Sequence, residues 1–228
     1  MSRSQDAWAY HPSVPLRSWA QQEQLTTVVG LYAGATTRVC VLDTETTGLS
    51  PGRDRVIEVC AAWVDLTTGA FETDPATGKP LVRATLINPD MPIPLAATKI
   101  HGIRNADVKS APRFDQVWPA VLKFIGDGPV VAHNASFDVR MLHAEAARTA
   151  IRTPHRVPVF CSKKLAKAVL PKGHSLSLEN VAKALDVPQR AGAHRAVADV
   201  ETTGAVVARL CARGGKDLRE LTTQEAVL

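Results

Sequence analysis

The chain has 228 residues, 45% of them hydrophobic, with a formal net charge of +5 and a pI of about 9.2. That length suits one substantial domain with appendages. No apolar run approaches ~18 residues, so no transmembrane helix is expected. The opening "MSRSQDAWAYHPSVPLRSWA" has no continuous apolar stretch of the kind a secretory leader needs, so the cytoplasm is the expected compartment, and the positive balance favours polyanionic partners such as nucleic acid.

Residues 1–37 read as an N-terminal extension. Pro12 and Pro15 precede a possible helix from Leu16 to Tyr32 whose apolar residues fit one face only loosely. Three strand-like runs follow: "RVCVLDTET", "RVIEVCAAWVDL" and "PLVRATLINP". Turn-rich segments, "GLSPGRD" and "TTGAFETDPATGK", separate them, which predicts an antiparallel meander. The pattern then changes. "PLAATKIHGI" and "FDQVWPAVLKFIG" read as helices, "GPVVAHN" as a short strand, "ASFDVRMLHAEAAR" as a helix and "VPVFCS" as a strand. Three more helices follow, in "SKKLAKAVL", "SLENVAKALDV" and "HRAVADVETTGAVVARLCAR". Three antiparallel strands followed by strands alternating with helices predict an α/β fold, a mixed five-stranded sheet flanked by helices, over residues 38–213. Residues 214–228 read as a loosely held tail. The four cysteines, Cys40, Cys60, Cys161 and Cys211, form no CxxC pair, so reduced thiols are expected rather than a zinc site or redox motif.

The chemistry concentrates in three places. Asp43 and Glu45 end the first strand, and side chains two apart on a strand share a face. Two like charges a few Å apart repel unless one is protonated or a cation lies between them, and hard divalent cations prefer oxygen ligands. An isolated Asp-x-Glu reads more simply as a solvated strand end. In "AHNASFD", Asn134 is a good helix N-cap and Asp138 falls in the first turns of the following helix, where the helix dipole alone would favour it. Phe137 is most simply core. In the last helix Ala196, Val200, Val207 and Leu210 form one apolar stripe, and Asp199 borders it. An acid at the edge of a buried face needs a partner. His194, five residues earlier, sits at or just before the helix start.

Taken in order, Asp43-x-Glu45, Asn134-x-x-Phe137-Asp138 and His194-x-x-x-x-Asp199 resemble the three motifs of the DEDDh (DnaQ-like) 3′→5′ exonucleases. "DTETTGL" is similar to that family's first motif, and "TKIHGI" (Thr98 to Ile103) to a segment between its first and second. The resemblance covers roughly Arg38 to Arg213. Within the family it is greatest to the proofreading epsilon subunit of bacterial DNA polymerase III and its free-standing relatives.

This resemblance implies a ribonuclease H-like fold and two-metal hydrolysis of phosphodiester bonds at 3′ ends, releasing nucleoside monophosphates. It implies that Asp43, Glu45 and Asp199 hold one of two divalent ions, Mg²⁺ or Mn²⁺, while Asp43 bridges to the other and Asp138 supports it through water. His194 is implied as the general base, a role suited to an imidazole pKa near 6.5. For the substrate, it implies backbone contacts from Thr46, Thr47 and Gly48, a wedge at Leu49, and contacts from His101, Asn134 and Phe137. Each has a plainer reading: Gly48 as turn chemistry and Leu49 as core. Lys163, Lys164, Lys167 and Lys172 read as phosphate contacts or as a solvated helix face.

The expected substrate is DNA, at single-stranded or frayed 3′ ends, in proofreading or repair. An RNA 3′ exonuclease resembling ribonuclease T or oligoribonuclease has the same catalytic set. An inactive module that binds a polymerase subunit would tolerate loss of a catalytic position, yet all five are filled. A purely structural cation site has no use for the His194–Asp199 spacing. The terminal "QEAVL" faintly resembles peptides that dock into sliding clamps, although Glu225 fits poorly and a frayed terminus is the simpler reading. No membrane partner is expected.

Overall fold

The computed structural model describes residues 37–151, 156–173, 175–188, 195–214 and 224–227. The helix expected over Leu16–Tyr32, and His194, lie outside the described residues.

The first expected run becomes strand β1 (Arg38–Thr46), followed by β2 (Val56–Asp65) and β3 (Val82–Leu86). Helices α1 (Leu95–His101), α2 (Asn105–Val108) and α3 (Phe114–Ile125) precede β4 (Val130–Ala132). Then come α4 (Ser136–Arg148), β5 (Arg156–Cys161), α5 (Ser162–Val169), α6 (Leu178–Ala184) and α7 (Ala196–Gly214). A final strand, β6, spans Gln224–Val227. The sheet order is β3-β2-β1-β4-β5-β6. β1, β2 and β3 are antiparallel, β1, β4 and β5 are parallel, and β6 is antiparallel to β5.

The five expected strands are all present. The sixth comes from the segment read as a loose tail. Without it β5 would end the sheet with a row of unpaired backbone groups, and four residues of tail supply partners. So short a strand carries no periodicity in the sequence, and its partner lies far away along the chain.

Because β1 is central, both of its faces are covered. Cys40 and Leu42 pack with Trp118, Met141 and Leu142 from α3 and α4, while Val39 and Val41 pack with Val200, Val207 and Leu210 from α7. The predicted stripe of Ala196, Val200, Val207 and Leu210 is fully buried. Gly204 lets α7 press onto β2, since a Cβ there would come within 2.9 Å of the Val64 side chain.

Asn134 does not cap α4 as expected. The N-cap is Ala135, without a side-chain cap bond, and Asn134 instead turns the chain in the left-handed region (φ 69°), which asparagine tolerates. Its neighbour His133 ties β4 to the opposite layer. Nδ1 lies 2.8 Å from the Ser162 hydroxyl, and Nε2 lies 3.0 Å from the Leu176 carbonyl. A carbonyl only accepts, so Nε2 carries the proton and Nδ1 accepts from Ser162.

Burial lowers the His133 pKa below its ordinary value. The neutral ring therefore contributes stability above about pH 6.5, and this is lost as pH falls through the depressed folded value. Thermal melts from about pH 7.5 to about pH 5 should show a steeper loss in the parent than in His133→Gln, by ~2–4 °C. Parallel pH profiles for the two proteins would remove His133 as the cause.

Candidate active site

The site forms where β1 ends. Asp43 and Glu45 leave the strand on the face covered by α7, and Asp199 arrives from the first turn of that helix. Ligand-capable oxygens of these three carboxylates lie within 4.8 Å of one another. Asp138 belongs to the other layer. It is buried in α4 and accepts a 2.8 Å hydrogen bond from the Thr44 hydroxyl. The intervening residue of β1 thus reaches the fourth acid through the opposite face, and the cluster straddles the strand end.

Crowding alters these acids. Burial first, and then the charges of Asp138, Glu45 and Asp199, raise the Asp43 pKa well above the carboxylate range. Burial, Asp199 and Glu58 push Glu45 up to about 8. Burial pushes Asp138 up to about 7 against the Thr44 hydrogen bond, which lowers it. Such groups are paired with cations or stay protonated. The donor set is all oxygen, which matches a hard divalent cation, and Asp43, Glu45 and Asp199 are close enough together to share one.

The loop after β1 is built around Asp54. Its carboxylate accepts from the Thr47 hydroxyl at 3.2 Å and from the Ser50 N–H at 2.8 Å. A Cβ at Gly48 would sit 2.6 Å from that carboxylate, so Asp54 by itself explains the glycine. The Thr46 hydroxyl is committed to the Gly48 carbonyl at 2.7 Å. Leu49 is 83% exposed, which overturns its reading as core. Phe137 is partly buried against the α3–α4 core, as its simpler reading had it. On α5, Lys164 and Lys167 are exposed and Lys163 is half-buried, and Lys172 beyond the helix is exposed.

His101 closes α1 and is buried, with Gly102 in the left-handed C-cap conformation (φ 76°). Its Nδ1 accepts from the Ile103 N–H at 3.0 Å, so Nε2 carries the proton of the neutral ring. That donor has no hydrogen-bond partner among the described residues. Burial lowers its pKa, which favours the neutral form. Near this point the β1–β2 register shifts: Glu45 pairs with Glu58, but Thr46 pairs with Val56. The extra residue, Ile57, packs with Ile93, Ile103 and Val108, anchoring the segment that carries His101.

Thr44, Asp54, Glu58 and Arg195 were not singled out from the sequence. Only Glu58 leaves a signal there, as a lone acid inside the apolar run "RVIEVCAAWV". Arg195 donates to it through Nη2 at 2.7 Å and Nε at 3.1 Å.

Comparison with known proteins agrees with this geometry. The RNase T exonuclease family model matches residues 40–207. The chain belongs to this exonuclease family. It is 35% identical over 191 residues to a DNA polymerase III subunit epsilon-like protein of Rhodobacter capsulatus, covering 82% of this chain and 25% of that protein. It is 34% identical over 154 residues to the DNA polymerase III subunit epsilon of Rickettsia typhi, covering 66% and 63%. The chain therefore spans less than two-thirds of these relatives' length. Among solved structures, Exonuclease X in complex with 5′ overhanging duplex DNA superposes with a TM-score of 0.61 at 29% identity, covering 80% of this chain and 96% of that one. The nuclease domain of 3′hExo, a DEDDh family member, shares the fold with a TM-score of 0.66 at 16% identity, over 84% and 98%. The ribonuclease H-like fold expected from the motifs is the fold of the chain. Among the described residues no helix is long and apolar enough to cross a membrane.

The carboxylate cluster predicts a metal-dependent thermal shift. Millimolar Mn²⁺ or Mg²⁺ should raise the melting temperature of the parent by about 3 °C or more. Asp43→Ala should melt no lower than the metal-free parent, since it relieves like-charge repulsion, and should lose the shift. A metal shift of parental size in Asp43→Ala would remove that residue from the metal site.

Proposed function

We propose that the protein is a metal-dependent 3′→5′ exonuclease that removes nucleoside monophosphates from DNA 3′ ends. The observation that carries this reading is the convergence of Asp43, Glu45 and Asp199 within 4.8 Å at the end of the central strand, with Asp138 behind Thr44. Asp43, Glu45 and Asp199 would hold one Mg²⁺ or Mn²⁺, and Asp43 and Asp138 would serve a second. When bound, such ions supply charge stabilisation for the attacking and leaving oxygens.

The chain's own residues supply the rest. His194 takes a proton from the attacking water, whose oxygen bonds to phosphorus as the bond to the 3′ oxygen breaks. The leaving 3′ oxygen takes up a proton from solvent, so the products are a nucleoside 5′-monophosphate and a strand one residue shorter ending in a 3′ hydroxyl. The Nε2–H of His101, which faces the Thr46 backbone without completing a hydrogen bond to it, offers a donor to the terminal sugar or phosphate. Leu49, exposed beside the site, stacks on the last base. Backbone groups of Thr46, Thr47 and Gly48, together with Asn134 and Phe137, border the same nucleotide. DNA is favoured over RNA because Exonuclease X was solved with DNA and the 34–35% identical relatives carry DNA polymerase III names. Those names also motivate a polymerase or sliding clamp as partner, in proofreading or repair. The cytosol, where the free thiols stay reduced, is the proposed compartment.

Incubation with 3′-labelled single-stranded DNA, mispaired duplex and RNA, with and without Mg²⁺, tests this. Metal-dependent release of monophosphates from DNA ahead of RNA is expected, while faster RNA degradation would transfer the protein to RNA turnover. His194→Ala should lose about 10²–10⁴-fold in rate while keeping the metal-induced thermal shift, because the four carboxylates remain. An unchanged rate and pH profile in that variant would exclude His194 as the base.

A further inference from the structure

Glu58 is an acid that metal binding leaves unexplained. It stands directly opposite Glu45 in the β1–β2 register, so the two side chains leave the sheet on the same face. It is 3% exposed, and its charge adds to the repulsion felt by Asp43 and Glu45. A fifth acid beside four is tolerable only when its charge is met.

Among the described residues its charge is met at the start of α7. Arg195 Nη2 donates to Oε1 at 2.7 Å, Arg195 Nε donates to Oε2 at 3.1 Å, and the Ala196 backbone N–H donates to Oε2 at 3.1 Å. The guanidinium fork imposes a planar geometry on the pair. The backbone donor is one of the N–H groups that a helix start leaves without an internal partner, and the carboxylate sits at the positive end of the helix dipole. One turn later the Asp199 N–H donates to the Arg195 carbonyl at 3.1 Å. The turn that presents Asp199 therefore hangs from β2, which is held in register against the strand carrying Asp43 and Glu45.

We infer that the Glu58–Arg195 pair is a positioning clamp. It sets the rotation and depth of the first turn of α7, and with them the placement of the Asp199 carboxylate against Asp43 and Glu45. Glu58 stands outside the group of carboxylates whose oxygens lie within 4.8 Å of one another, and its own oxygens are turned to the Arg195 guanidinium and the Ala196 amide. The apolar stripe of α7 decides which face is buried, but apolar contact is non-directional and tolerates small slides. The forked pair and the backbone bond do not. The consequence for catalysis rests on the exonuclease reading above.

The test uses the full chain as parent, Glu58→Gln, Arg195→Gln, their double variant and Arg195→Lys. Three quantities are read: kcat and KM on 3′-labelled DNA, Mn²⁺ affinity by calorimetry, and hydrogen exchange across the start of α7. Each glutamine variant should lose about 10–100-fold in kcat with KM nearly unchanged, and should bind Mn²⁺ more weakly. The double variant should be no worse than the poorer single. Arg195→Lys should recover part of the loss, because it keeps the charge without the fork. Exchange at the Ala196 amide should quicken alike in both glutamine variants. Parental kcat and Mn²⁺ affinity in both singles, losses that multiply in the double, or losses that only follow a fall in folded fraction would each overturn the clamp. A parent with no metal-dependent nuclease activity would instead overturn the exonuclease reading. Mn²⁺ affinity and exchange would then decide the clamp on their own, with parental values in both singles counting against it.

Discussion

Like-charge crowding at the end of the central strand is the constraint on which the rest of the structure depends. Two unit charges at the spacing of Asp43, Glu45 and Asp199 repel by roughly 3–4 kcal/mol per pair at an effective dielectric of ~20. Like-charge repulsion works against the cluster. It is held by the packing around it. Val200, Val207 and Leu210 of α7 are fully buried against the sheet, each worth roughly 1.5–3 kcal/mol of apolar transfer. On the other face, α4 seats Asp138 beneath Thr44. The core therefore drives together groups that would otherwise separate, and a divalent cation turns their repulsion into attraction.

The surrounding acids divide into two kinds by what already occupies their oxygens. Asp54 and Glu58 have their donors within the fold: Thr47 and Ser50 for the first, Arg195 and Ala196 for the second. These two set backbone geometry. Asp43 and Glu45 have burial and like charges against them, which is the electrostatic signature of groups awaiting a cation. Residue type and burial pattern do not separate the two kinds, since all are carboxylates in or beside the same strands; in the sequence only the motif resemblance marked Asp43 and Glu45.

Topology explains how so few residues make the site. The order β3-β2-β1-β4-β5-β6 places β1 between an antiparallel half and a parallel half. The antiparallel half delivers the Asp54 loop and Glu58. The parallel half delivers β4, whose exit leads directly into α4 and Asp138. The last long helix then crosses β1 and β2, and its first turn reaches the strand end. The register shift at Glu45 and Thr46 adds Ile57, which anchors the loop bearing His101.

The sequence by itself determined the elements and the acids. The run "RVCVLDTET" is β1 residue for residue, and the spacing of Ala196, Val200, Val207 and Leu210 identified the buried face of α7, because apolar periodicity is a local property of the chain. Asp43, Glu45 and Asp199 were legible as acids at or beside apolar faces, and the order of the three motifs, with Asp138 in the second, marked the four together through their resemblance to the exonucleases. Only the tertiary structure decided what each acid does. Glu58 became a clamp because strand register put it opposite Glu45, and Gly48 was left no room for a Cβ beside the carboxylate of Asp54, which folds over it. Leu49 became exposed and β6 became part of the sheet through contacts, or their lack, with segments distant in the chain. Pairings of that kind arise from three-dimensional proximity, and no window of sequence contains both partners.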